Sequence, residues 1–194
     1  MISTGEIARG MQGALGLLKR DPAAPSYFDN TLEACVRSFQ VMILVAPLHI
    51  TLMLLRYTSV TSTADELEIV LVEALRYVVD WLLFPVLFYE IARRRNWLGL
   101  FPRYISALNW VNLPAMIIAV IGVVLSTLLP AVPAELVRVA LQALFFYWFL
   151  TTTRATLGVA WPVATLLLVV NWVPSLFISL IVDRFLGIAL AAGA

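Results

Sequence analysis

Charged residues are scarce in this sequence. Only 13% of its 194 residues are Asp, Glu, Lys or Arg and 62% are hydrophobic, whereas an ordinary soluble domain is about 25% charged and about 45–50% apolar. The formal net charge is +1, so the chain has no field of one sign that would attract a polyanion. These proportions exclude a disordered chain, a nucleic-acid-binding protein and an ordinary soluble enzyme. They indicate an all-α integral membrane protein.

Cysteine and histidine occur once each, as Cys35 and His49. A single cysteine excludes an internal disulfide bond, and a zinc site usually requires about four Cys, His or carboxylate ligands. The sequence also lacks a P-loop, a glycine-rich cofactor loop and a nucleophile placed beside a base. We therefore expect no metal, no cofactor and no catalytic residues.

Five apolar runs are long enough to cross about 30 Å of hydrocarbon, which takes roughly 20 helical residues. They cover residues 31–55, 68–91, 104–129, 134–153 and 162–182. Thr31 and Asp65 offer N-cap oxygens near the first two starts, and Pro162 suits the first turn of the fifth helix. The apolar segment 185–194 is too short to cross, and we expect it to extend the fifth helix or to lie on the surface. The sequence thus predicts a domain of five transmembrane helices over residues 31–194.

The basic residues predict the orientation of this domain. Nine of them fall on the side of the N-terminus: Arg9, Lys19, Arg20, Arg37, Arg93, Arg94, Arg95, Arg103 and Arg154. Three fall on the opposite side: Arg56, Arg138 and Arg184. Because cytoplasmic loops carry an excess of Lys and Arg, we expect a cytoplasmic N-terminus and an external C-terminus, in a bacterial inner membrane. Six of the nine are also candidates for binding anionic lipid headgroups: Lys19, Arg20, Arg93, Arg94, Arg95 and Arg103.

Residues 1–30 are expected to form a separate element, a helix followed by a linker. Apolar residues recur there at steps of three to five: Ile2, Ile7, Met11, Leu15 and Leu18. On a helix they form one apolar stripe, with Glu6, Arg9 and Lys19 largely outside it. This pattern predicts an amphipathic helix on the cytoplasmic leaflet, with a disordered tail as the alternative.

The second predicted span carries three ionisable residues, Glu73, Arg76 and Asp80. Each such group costs about 2.5–3.5 kcal/mol in a bilayer on insertion scales, so it needs a partner or a wet cavity. Their spacings of three and four place all three on one helix face, where Arg76 reaches either carboxylate.

A short motif recurs in three of the predicted spans. It consists of an Asp or Asn, then Trp, then Pro two to four residues later, and it begins at Asp80, Asn109 and Asn171. A proline frees a backbone carbonyl one turn earlier, so the freed carbonyls and the polar side chains need partners. We therefore predict one polar seam inside the bundle, formed by Glu73, Arg76, Asp80, Asn109, Asn112 and Asn171. The seam is interpreted either as helix packing through interhelical hydrogen bonds or as a pathway for a ligand or ion.

Several features occur together between residues 30 and 185. They are a cytoplasmic N-terminal segment, five closely spaced helices, a short non-cytoplasmic tail and the pair Asn109-Trp110 at the start of the third span. In these features the chain resembles the Yip family of five-span membrane proteins, although it lacks the long soluble N-terminal domain of the eukaryotic members. The resemblance implies a non-enzymatic role as a membrane scaffold or organiser.

The function predicted from these observations is that of a non-catalytic membrane scaffold or an accessory subunit of a membrane complex. Its expected partners are membrane lipids and either other proteins or further copies of itself, with no nucleic acid. The alternative is a small transporter or channel that uses the polar seam at the bilayer midplane. A third possibility, an enzyme acting on lipid within the membrane, would need clustered His and carboxylate residues, and only Asp80 is central.

Overall fold

The structure is a computed structural model that describes residues 2–190, and it is built almost entirely from helices. Within these residues seven α-helices follow one another: α1 (Thr4–Leu18), α2 (Leu32–Ser38), α3 (Val41–Tyr57), α4 (Glu66–Arg94), α5 (Phe101–Thr127), α6 (Ala131–Leu157) and α7 (Trp161–Phe185). A 3-10 turn at Ala24–Tyr27 follows α1. Two short strands, β1 (Val60–Thr61) and β2 (Ala189–Leu190), complete the fold.

Four helical segments are long and apolar enough to cross a membrane. They are Leu32–Tyr57, which comprises α2 and α3, together with α5, α6 and α7. Helix α4 has 29 residues, but Glu73, Arg76 and Asp80 interrupt its apolar sequence. The fold is therefore an all-helical bundle whose helices are compatible with insertion in a membrane.

The outward face of α4 is apolar along most of the helix. Its exposed side chains recur at helical spacing: Leu67, Val70, Leu71, Leu75, Val78, Leu82, Val86 and Tyr89. This face is about 33 Å long at about 1.5 Å per residue. Glu73 lies on the opposite, inward face and is only 3% exposed.

The helix ends follow the capping residues in the sequence. The Thr31 hydroxyl accepts a hydrogen bond from the Ala34 amide (3.2 Å), and the Asp65 carboxylate accepts one from the Glu68 amide (2.7 Å). These two N-caps are confirmed, as is the proline in the first turn of α7. The first span is a more broken helix than the sequence predicts, because the amides of Phe39 and Gln40 bond three residues back, which forms a tight turn between α2 and α3.

Helix α5 lies at the centre of the bundle and packs against α1, α2, α3 and α6, while α4 packs mainly against α7. An aromatic cluster joins α4, α5 and α6 near one end of the bundle. There Phe88 packs edge-to-face on Tyr104 with 4.7 Å between ring centroids, and Phe84 packs in the same way on Phe149 at 5.5 Å. Such pairs stabilise a fold by about 0.5–1.5 kcal/mol beyond the apolar area that they bury.

The residues after α7 return to the loop between α3 and α4. Strand β2 pairs antiparallel with β1, so that Thr61 lies opposite Ala189. The chain turns at Gly187, whose φ of +58° suits glycine, and the Ser62 hydroxyl donates a 2.6 Å hydrogen bond to the Leu186 carbonyl. Helix α7 therefore ends at Phe185, and the segment 185–194 does not extend it but contributes strand β2. The last four residues of this segment lie outside the described part of the chain.

Helix α1 is present and packs on the bundle through small residues. Its buried residues are Gly10, Gly13, Ala14 and Leu17, and they contact α5, α6 and the 3-10 turn. Of the predicted apolar stripe, Ile2, Ile7 and Met11 pack against a core cluster that contains Trp81, whereas Leu15 is 38% exposed. Location of α1 on a membrane surface stays a prediction.

Candidate functional site: a polar cavity beside an ion-pair ladder

Four of the six predicted seam residues line one cavity, which we call the inner cavity. It has a volume of about 320 Å³ and lies between α4, α5, α6 and α7. Asp80, Asn109, Asn112 and Asn171 contribute polar side chains, and Gln142 of α6 adds a fifth. Asn112 and Gln142 are exposed, so the cavity opens at the surface of the bundle. Sequence reasoning thus identified four of the five polar residues of this cavity.

A second cavity, the side cavity, adjoins the first one. It has a volume of about 290 Å³, and its wall includes Asp80, Asn112 and Asn171 together with His49 of α3 and Ser175 of α7. Because the two cavities share these three polar residues, they form one polar region at half the height of the bundle.

The other two seam residues, Glu73 and Arg76, lie outside both cavities and belong to a chain of ion pairs that we call the ladder. Arg76 Nη1 lies 3.3 Å from Glu73 Oε2, and Arg76 Nε lies 3.7 Å from Asp80 Oδ2. The predicted pairing of Arg76 with both carboxylates of its own helix is therefore present. The predicted seam, however, divides into a ladder and a cavity, and Asp80 is the residue common to both.

Two members of the ladder come from other helices and were missed by the sequence reasoning. Arg56 of α3 lies 3.2 Å from Glu73 Oε1 through one guanidinium nitrogen and 2.7 Å from Asp183 Oδ1 of α7 through the other. The Tyr57 hydroxyl donates to Glu73 Oε1 at 3.1 Å. The ladder thus joins α3, α4 and α7. Arg56 and Asp183 stand at the ends of apolar runs, where charged residues usually only flank a span, so the sequence gives no signal for their pairing.

The polar side chains of the cavity also make contacts that hold the helices together. The Ser175 hydroxyl donates a 2.8 Å hydrogen bond to Asp80 Oδ1 and so links α7 to α4. Asn109 Nδ2 donates to the Ser38 hydroxyl at 2.9 Å and links α5 to the end of α2. These contacts satisfy part of the hydrogen-bonding capacity of Asp80 and Asn109.

His49 packs its ring against Tyr77 of α4, with 4.5 Å between ring centroids. Its Nε2 atom is buried and has no hydrogen-bond partner within residues 2–190. The described residues contain no group of three or more His, Cys, Asp or Glu that could hold a metal ion.

The predicted headgroup residues lie near the end of the bundle opposite to the β1–β2 pair, but they differ in their surroundings. Arg103 Nε donates to the Phe28 carbonyl at 3.2 Å, and Arg93 pairs with Glu90 at 2.9 Å. Arg20 lies with its guanidinium carbon 5.8 Å from the Trp161 ring centroid, and Arg154, which the sequence reasoning did not select, lies 4.1 Å from the same centroid. Five of the six candidates are exposed, namely Lys19, Arg20, Arg93, Arg94 and Arg95, and Arg103 is half-buried.

Comparisons with protein-family models, with curated proteins and with solved structures found no match for this chain. The resemblance to the Yip family therefore stays a prediction. Any functional argument depends on the residues of the cavity and the ladder.

Proposed function

We propose that the protein is a five-span integral membrane protein that binds a small polar solute in the inner cavity, as a transporter or channel does. One observation carries this proposal: five polar side chains from four helices line the same cavity at half the height of the bundle. A polar side chain in a membrane domain is costly unless it has a partner or faces water. Pure packing would favour direct contact among these side chains over an open space of about 320 Å³ between the helices.

The apolar outer face of α4 supports its assignment as the fifth span. The face is about 33 Å long at about 1.5 Å per residue, which exceeds the roughly 30 Å of a hydrocarbon core. Glu73, Arg76 and Asp80 of α4 face the bundle and pair there, as intramembrane charges usually do. With five spans, the excess of Lys and Arg on the N-terminal side gives a cytoplasmic N-terminus and an external C-terminus. In this proposal the membrane is a bacterial inner membrane.

Thiol accessibility tests whether the inner cavity is hydrated. In a Cys35→Ser background, Asn171→Cys and Gln142→Cys place thiols in the cavity wall. Val169→Cys places a thiol on the outward face of α7, where the Val169 side chain is 46% exposed. N-ethylmaleimide is neutral and reacts with thiolates, which require water. We expect it to label the two cavity thiols in native membranes and to leave Val169→Cys unlabelled. Absence of labelling at both cavity positions would contradict solute binding.

The second candidate is the non-enzymatic scaffold or accessory subunit, which the resemblance to the Yip family implies. The observation that favours it is that Asp80 and Asn109 are bonded to Ser175 and Ser38, so that part of the seam holds helices together. In this role the exposed apolar faces would contact lipids, protein partners or further copies of the chain. A dry cavity in the labelling experiment would favour this function.

A further inference from the structure

The inner cavity has an unusual combination of lining groups. Seven aromatic side chains surround its five polar ones, and no Arg, Lys or His belongs to the lining within the described part of the chain. Phe146 and Trp172 pack edge-to-face in this wall, with 5.4 Å between ring centroids. Asp80 is the one formally charged residue of the lining. The cavity therefore offers a carboxylate, amide oxygens and the negative faces of aromatic rings.

In the ladder beside the cavity, the carboxylates outnumber the guanidinium groups by one. It contains three carboxylates, those of Asp183, Glu73 and Asp80, but only two guanidinium groups, those of Arg56 and Arg76. The remaining titratable side chains that face the ladder are His49, Tyr57 and Tyr77. His49 is counted as neutral, as in the formal charge of the chain. By formal count the group is −1.

Asp80 is the least compensated carboxylate of the ladder. Glu73 contacts both arginines, at 3.2 and 3.3 Å, and Asp183 has a 2.7 Å contact with Arg56. Asp80 has only a 3.7 Å approach from Arg76 Nε, in addition to its hydrogen bond from Ser175. The uncompensated negative charge of the ladder therefore lies at Asp80, in the wall of the cavity.

We propose that the inner cavity binds a small organic cation of the ammonium class, whose charge is met by Asp80 and by the aromatic faces of the wall. This inference rests on the proposed solute-binding function and names its substrate class. A cation over an aromatic ring gains about 0.5–1 kcal/mol at exposed sites and about 2 kcal/mol or more when desolvated. A hard metal ion would need about six oxygen ligands at short distances, and the described residues contain no group of three or more His, Cys, Asp or Glu that could hold one. An anion would be repelled by Asp80.

A pair of thiol reagents of opposite charge tests the sign of the electrostatic potential in the cavity. Purified protein carrying Asn171→Cys or Gln142→Cys, in the Cys35→Ser background, is treated with a trimethylammonium methanethiosulfonate or with its sulfonate counterpart. Each rate is divided by the rate of that reagent with a free thiol. We expect the cationic reagent to be favoured by about fivefold or more. Choline should slow the labelling, and its neutral isostere 3,3-dimethylbutan-1-ol should not.

Two matched variants locate the charge that is responsible. Asp80→Asn keeps the shape and the acceptor for Ser175, and we expect it to abolish both the reagent preference and the protection by choline. Asp183→Asn removes the same formal charge from the other end of the ladder, outside the cavity, and we expect it to keep both effects. If Asp80→Asn does not fold, the protein that retains Asp80 still tests the inference: protection by choline and not by its isostere would support a site for a cation.

The possible results separate this inference from the proposed function. Equal normalised rates with the two reagents, or equal protection by choline and its isostere, would overturn the cation inference while the cavity remained a hydrated site. No labelling of either cavity thiol by the neutral N-ethylmaleimide would overturn the proposed function as well.

Discussion

The indole nitrogen of Trp148 donates a 2.9 Å hydrogen bond to the main-chain carbonyl of Ala14, 134 residues earlier in the chain. Trp148 is completely buried, and its ring forms part of the wall of the inner cavity. Helix α1 is thereby connected to the cavity through a single side chain. The position of α1 and the shape of the cavity should therefore be coupled.

Trp148→Phe tests this connection, because it keeps an aromatic ring and removes the hydrogen bond. The Ala14 carbonyl keeps its helical partner four residues on and loses the bond from Trp148, which costs about 0.5–1.5 kcal/mol. We expect faster hydrogen exchange across residues 4–18 in detergent, measured by mass spectrometry. Trp172→Phe is the control, since Trp172 also lines the cavity but is 44% exposed. Equal exchange of α1 in the two variants would contradict the coupling.

Two glycines of α1 give opposite predictions for the same substitution. A Cβ at Gly10 would lie 2.2 Å from ring atoms of Trp110, whereas one at Gly5 would approach only the Ser3 hydroxyl, at 4.0 Å. Alanine favours a helix over glycine by about 0.8–1.0 kcal/mol. We expect Gly5→Ala to protect the bond after Lys19 from trypsin and Gly10→Ala to expose it. If Gly10→Ala protected this bond as well, α1 would not be packed on α5.

The sequence predicts the residues of the cavity better than the contacts between them. Asp80, Asn109, Asn112 and Asn171 are recognisable because a polar residue within an apolar run is costly. Gln142 has the same character but lacks the accompanying Trp and Pro, so the motif did not include it. The position of each helix in the bundle decides which polar residues meet, and a single sequence does not contain that information.

The buried face of α1 shows the same limit. The large apolar residues of α1 predict one side of the helix, whereas the most buried residues are Gly10, Gly13, Ala14 and Leu17. Small residues become the contact face because Trp110 and Trp148 of other helices occupy the space above them. Those rings come from segments about 100 or more residues away, and the periodicity of α1 does not reveal them.

The five-span topology is tested by a pair of single thiols in the Cys35→Ser background. Ser62 lies in the loop between α3 and α4, and Asn96 lies between α4 and α5. If α4 crosses the membrane, an impermeant maleimide added to intact cells should label Ser62→Cys and should label Asn96→Cys only after the cells are permeabilised. Equal labelling of the two thiols in intact cells would show that α4 does not cross.

Two arginines separate the contribution of the ladder from that of an ordinary surface ion pair. Arg56→Met leaves Glu73, 3% exposed, and Asp183 without their shared partner. Glu73 keeps its contacts with Arg76 and the Tyr57 hydroxyl, so its buried charge loses only part of its compensation. Since Arg56 itself is 32% exposed, we expect a loss of about 1–2 kcal/mol. Arg138→Met removes an exposed pair with Glu135 and should cost less than about 1 kcal/mol. The free energy of unfolding from titration with SDS in mixed micelles measures both, and equal losses would contradict a structural role of the ladder.

Glu6 gives a prediction for the pH dependence of α1. Its carboxylate accepts a 2.8 Å hydrogen bond from the Ser3 amide and pairs with Arg37 of α2 at 2.6 Å. The bonds from Ser3 and then the positive charge of Arg37 lower the pKa of Glu6 below its ordinary value of 4.5. Because the pKa is lower in the folded state, the stabilisation is complete above pH 4.5 and is lost as the pH falls through the folded-state pKa.

Glu6→Gln isolates this effect, since glutamine retains an acceptor for the Ser3 amide but carries no charge. We expect the melting temperature of the wild type to exceed that of Glu6→Gln at neutral pH. The difference should shrink as the pH falls below 4.5 and vanish once Glu6 is protonated, because the two side chains are then both neutral. Subtracting one curve from the other removes the contribution of every other titrating group that the two proteins share. A difference that stayed constant from neutral pH down to strongly acidic pH would show that the charge of Glu6 does not hold α1 against α2.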